Sequence, residues 1–88
     1  MSLADELKQE NTMADVFAAV PDFRNRVKSS IKTYGRASIL HGTHINRINY
    51  DGIPERYVRA VDQWARTEGL RVEYAHNSYG VGLLRLSV

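Results

Sequence analysis

Between residues 13 and 34 apolar side chains return every three or four positions: Met13, Val16, Phe17 and Val20, then Phe23, Val27, Ile31 and Tyr34. That spacing places them on one face of a helix. Pro21 separates the two runs, because it lacks a backbone N–H and disfavours helix at the residue before it. A break between two helices is predicted there, and Gly35, suited to left-handed backbone, ends the second. Ser2 to Asp5 and Thr12 to Asp15 both match the S/T-x-x-acid pattern that satisfies free N–H groups at a helix start. Two starts are therefore expected, and residues 1–11, with only Leu3 and Leu7 as large aliphatics, form either a flexible N-terminal arm or a segment that docks only on a partner.

The period then changes. "ASILHG" (37–42) is rich enough in β-formers for a short strand that Gly42 interrupts or bends. "THINRINYDG" (43–52) shows no clean face, so a loop and a bulged extension both fit it. "DGIPERYVRAVDQWARTEGL" (51–70) is the clearest helix, with Pro54 in its first turn, Gly69 at its exit and Tyr57, Val58, Val61, Trp64 and Ala65 on one face. Its other face carries Glu55, Arg59, Asp62 and Arg66, each three or four residues from an opposite charge. In the final stretch, Leu70, Val72 and Tyr74 alternate opposite Val88, Leu86 and Leu84. That register forms a hairpin closed by Ser78-Tyr79-Gly80, with Glu73 opposite Arg85 on the outer face.

These elements define an α+β fold: helices packed on one face of a small, about three-stranded sheet, in the order α(α)-β-α-β-β with a C-terminal β-hairpin. The 88 residues form a single domain, 1–88, with a core adequate for folding but little margin. A winged helix has a related order, but its helix-turn-helix would need a helix inside "THINRINYDG". The final strand, "GVGLLRLSV", holds one charge, Arg85, so as an edge it would be open to a partner strand or to a second copy.

Charge changes the picture more than composition does. Twelve Lys and Arg against ten Asp and Glu leave a net charge of only +2, but the charges are segregated. Residues 1–22 hold five acids and one base, whereas residues 23–36 hold five bases and no acid. Arg24, Lys28 and Lys32 fall at i, i+4 and i+8 on one flank of the second helix, and Arg36 extends them. Unpaired bases held on one surface suit either phosphates or an acidic protein partner. Tyr79, at the hairpin tip, is an aromatic residue that could anchor an interface or stack on a base.

Candidate chemistry is sparse. There are no cysteines, which removes disulfides and thiolate sites and is in keeping with a cytoplasmic setting. His41 and His44 lie three apart around Gly42, and His76 stands elsewhere; the spacing is not that of a metal motif, and structural or surface roles are expected. No nucleophile elbow, phosphate loop or H-E-x-x-H occurs, so neither catalysis, cofactor nor metal is expected. No apolar run is long enough for a membrane span, and the acidic, polar N-terminus does not read as a signal peptide.

With the Gly-exited helix, alternating strand, Gly-containing turn and final strand of residues 54–88 in hand, the chain resembles small accessory proteins encoded by tailed bacteriophages. The likeness is one of architecture and carries no functional residue across. It implies a non-enzymatic protein of viral type that binds a host or viral component, acting in the host cytoplasm. The expected function is thus a small protein-binding module, an inhibitor or adaptor, using Arg24, Lys28, Lys32, Arg36 and Tyr79. The alternative is a nucleic-acid binder using the basic helix 23–36.

Overall fold

The computed structural model describes residues 2–49, 51–76 and 81–88, with backbone alone at 5, 6 and 8–11. Helices α1 (Leu3–Ala19) and α2 (Phe23–Tyr34) are followed by β1 (Ala37–Gly42) and β2 (Gly52–Pro54). A 3-10 turn (Glu55–Tyr57) then leads into α3 (Val58–Thr67), and β3 (Arg71–His76) and β4 (Gly82–Ser87) close the chain. The α+β class is as expected, but the sheet has four strands in the order β2-β1-β4-β3.

Pro21 separates α1 from α2, and the chain turns through a Phe23 N–H bond to the Val20 carbonyl at 3.0 Å. Gly35 caps α2 at φ 80°, donating its N–H to the Ile31 carbonyl. The helix start expected at Thr12 is absent, because α1 runs unbroken from Leu3. Nothing between Gln9 and Met13 is Pro or Gly, so continuing the i to i−4 ladder satisfies the same N–H groups that a new cap would.

A second correction concerns residues 43–54. Asn49 folds this segment back, its Oδ1 accepting from the N–H groups of Asp51 at 2.9 Å and Gly52 at 2.8 Å. The chain re-enters the sheet as β2, parallel to β1, with Leu40, His41 and Gly42 opposite Gly52, Ile53 and Pro54. Pro54 therefore ends a strand instead of lying inside the helix. As the last residue of an edge strand it leaves no ladder donor missing within the sheet. Residues 43–49 contain no helix, so the helix-turn-helix of a winged module is not formed there.

The hairpin register agrees with the expected one at every described pair, including Val72 with Leu86, Glu73 with Arg85 and Tyr74 with Leu84. Its loop, residues 77–80, lies outside the described residues, and so does the expected role of Tyr79. The placement of β4 differs from expectation. It is an interior strand, paired with β3 on one side and β1 on the other. The reason is compositional: Leu83, Leu84 and Leu86 suit a central position, whereas Arg71, Glu73 and His76 of β3 suit an edge. Strand pairing with a partner could involve β3 or the three-residue β2, not the final strand. Val88, expected to face inward, is 86% exposed beyond the end of β4.

The helices cover one face of the sheet. Ile39, Ile53, Leu84 and Leu86 from the sheet meet Val16, Phe23, Val27 and Val61 from the helices, all among the buried core residues. Trp64 is partly buried and packs on two phenylalanines, at 5.9 Å from Phe17 and 5.4 Å from Phe23. Phe17, near the end of α1, thus meets the second half of α3, while α1 also touches the 3-10 turn before α3. The two helices therefore run in the same direction, from the 3-10 turn towards Trp64. Replacing the fully buried Phe23 by Ala leaves a cavity beneath Trp64 and should cost about 3–5 kcal/mol. Urea unfolding followed by Trp64 emission tests this, and an unchanged midpoint would contradict the packing described.

Candidate functional site

The α2 surface was the region singled out by charge, and the structure divides it. Phe23 and Val27 point into the core with Ile31 half-buried above them, because positions four apart share a face. Arg24 and Lys28 stand one residue further along, on the flank turned towards the end of α3. There a groove of about 200 Å³ opens, floored by Val27, Ile31, Trp64 and Leu70 and rimmed by Arg24, Lys28, Glu68 and Val88. Lys32 is exposed on the same flank of the helix. Arg36, beyond the Gly35 cap, lines a separate shallow depression with Ser30, Tyr34 and Ser38.

Two of the five bases are engaged by acids of the same chain. Arg24 reaches Glu68, just past the end of α3, through Nη2 at 3.4 Å and Nε at 3.5 Å. Both distances are long and both side chains are solvated, so the pair contributes little and exchanges readily. Arg26 donates to Asp22 at 2.9 Å, one helical turn away. Lys28, Lys32 and Arg36 form no ion pair with any described residue. The expected row of four bases is thus one cation on the rim of an apolar groove with a second on the same flank, one half-neutralised neighbour and one residue set apart.

A second polar cluster, not anticipated from the sequence, occupies the helix-facing side of the sheet near the start of β4. The side chain of His41 is 12% exposed and shares a 2.8 Å hydrogen bond between Nδ1 and Glu55 Oε2. Its ring lies over Gly82, where any side chain would collide with it, and meets Tyr74 edge-on at 6.4 Å. Nε2 of His41 is buried with no partner among the described residues. The Tyr74 hydroxyl donates to Asp62, which also accepts from Arg66 Nε at 2.6 Å. The i, i+4 Asp62–Arg66 pair was legible in the helix pattern, whereas Glu55 turns to His41 and not to Arg59.

Withdrawal of the Tyr74 hydroxyl from water, and then its bond to the Asp62 carboxylate, push its pKa up to about 12. The nearby Arg66 and Arg59 oppose this shift, and Asp62 in turn raises the pKa of Arg66. These contacts tie the edge strand β3 to α3. Among the described residues no group of three or more His, Cys, Asp or Glu is placed to hold a metal ion. No described helix is long and apolar enough to cross a membrane.

No known protein family, curated protein or solved structure matches the chain.

The Tyr74 contacts carry a pH dependence. Its pKa is raised in the folded state, so its contribution to stability is whole below pH 10 and is lost as pH rises through about 12. Because the residue is 55% exposed, Tyr74→Phe should cost at most about 1 kcal/mol at neutral pH. The difference between wild type and variant in urea unfolding should shrink between pH 9 and about 12. A difference that stays constant or grows over that range would contradict the assignment.

Proposed function

We propose that the protein is a non-enzymatic binding module that takes an acidic, apolar-anchored segment of a protein partner into the groove between α2 and the end of α3. The observation that carries this reading is the pairing of an apolar floor, Trp64 with Ile31 and Leu70, with Lys28 on the rim and Lys32 on the same flank, neither of them ion-paired with any described residue. An apolar side chain entering the groove would cover the exposed edge of Trp64, and a flanking carboxylate would meet Lys28. Arg24 adds a second cation once its long contact with Glu68 is exchanged. Aromatic floors with Arg at the rim are the composition from which binding hot spots are built.

Such a module acts by occupying its partner, as the inhibitor or adaptor role implied by the architecture would require. Nucleic-acid binding along the same helix is the alternative, and the charge geometry favours it less. Tracking a phosphate backbone needs several unpaired bases on one surface. Here Arg24 and Arg26 already have acids, and Arg36 lies apart from Lys28 and Lys32.

Selection from a random-peptide display library tests the reading without knowledge of the natural partner. Enriched peptides should carry acids beside a Leu, Phe or Trp, and Lys28→Glu should weaken their binding about tenfold, equivalent to about 1.4 kcal/mol. Their affinity should fall only modestly between 50 and 300 mM salt, since apolar burial is insensitive to screening. Enriched peptides without acids, or tight oligonucleotide binding with a steep salt dependence and no peptide enrichment, would overturn it.

A further inference from the structure

The chain itself carries a segment of the chemistry that this groove fits. We infer that the N-terminal half of α1 docks into the α2–α3 groove of a second copy of the protein. The inference rests on the groove being a binding surface, and it adds the identity of one occupant.

The arm stands out on apolar exposure. Among the described side chains of α1 the buried ones begin at Met13, yet the helix starts ten residues earlier, at Leu3. Residues 3–12 therefore extend about 15 Å of helix ahead of the core. Leu3 and Leu7, one turn apart on one face, are 70% and 51% exposed. They are the large aliphatic residues most exposed in the described chain apart from Val88, which itself borders the groove. An isolated helix this short is marginal in water, so its persistence depends on propagation from the packed half or on a docking surface.

Charge supplies the complement. By sequence, residues 3–10 carry Asp5, Glu6 and Glu10 against Lys8, whereas α2 contains four bases, Arg24, Arg26, Lys28 and Lys32, and no acid. Two leucines on an acidic helix are what an apolar floor bordered by Lys28 and Arg24 would accept.

A copy cannot fill its own groove. Because α1 runs in the same direction as α3, its N-terminal half points past the 3-10 turn, away from the Trp64–Leu70 end where the groove lies. A continuous helix from Leu3 to Ala19 offers no hinge by which the arm could return. The contact is consequently intermolecular and unlike-to-unlike: the arm of one copy enters the groove of the next. It closes as a dimer if two copies exchange arms reciprocally, and otherwise propagates.

Sedimentation equilibrium on the full chain tests the inference, starting from the monomer mass of 10.0 kDa. Association should rise with concentration, and both Leu3→Ala/Leu7→Ala and Lys28→Glu/Lys32→Glu should weaken it at least about tenfold. All four residues are exposed, so each variant should keep the circular dichroism and the urea unfolding midpoint of wild type at concentrations low enough for the monomer. Mixing the arm variant with the groove variant should restore association, because one copy retains an intact arm and the other an intact groove. A monomer at all concentrations up to 1 mM would overturn the inference while leaving peptide binding to the groove, measured separately by display, intact. Association unaffected by either variant, or no restoration on mixing, would equally overturn it.

Discussion

The contact on which the molecule depends is that of Trp64 with Phe17 and Phe23. These rings come from all three helices, and the two phenylalanines sit on either side of the Pro21 break, 6.2 Å apart and nearly perpendicular. Edge-on aromatic packing of this kind adds to the burial of the rings themselves. It sets the angle between α1 and α2, holds both against α3, and does so at one end of the helical layer. The sheet then needs only to present Ile39, Ile53, Leu84 and Leu86 to the underside of the helices. Because Trp64 is only partly covered by this cluster, its remaining surface becomes the floor of the groove. Core and candidate site share a residue.

What could be read from the chain alone follows the range of the interactions involved. The Pro21 break, the Gly35 cap, the face of α3 and the hairpin register depend on residues a few positions apart, or on alternation that turn geometry transmits directly. The features that were misread depend on competition between distant segments. β2 is three residues long and owes its place to β1 and to the Asn49 turn, neither visible in its own pattern. A sheet of three strands leaves one strand of the hairpin at an edge, whereas the fourth strand makes β4 interior, in keeping with its apolar character and with charged β3 outside it. Thr12 carries a start signal that an already formed helix overrides.

The site shows the same division. The charge segregation between residues 1–22 and 23–36 singled out α2, and Arg24 and Lys28 do border the groove. Glu68, 44 residues from Arg24, and Leu70 and Val88, which complete the lining, belong to segments that carried no signal of their own. Counting bases along one helix could not reveal that Asp22 and Glu68 each take one of them. This redistribution leaves a mixed apolar and cationic surface in place of an unbroken basic stripe. The His41–Glu55 and Tyr74–Asp62 contacts, equally unforeseen, fasten β1 and β3 to the helical layer.

The proposed binding surface lies where Trp64 meets the basic flank of α2. An amide chemical-shift map of the isotopically labelled protein, recorded with a peptide selected against it, tests that claim most directly. The largest shifts should fall on Arg24–Lys32, on Trp64–Leu70 including the Trp64 indole N–H, and at Val88. Largest shifts on the outer sheet face, at Ser38, Leu83, Arg85 and Glu73, would contradict it and move the binding surface to the other side of the molecule.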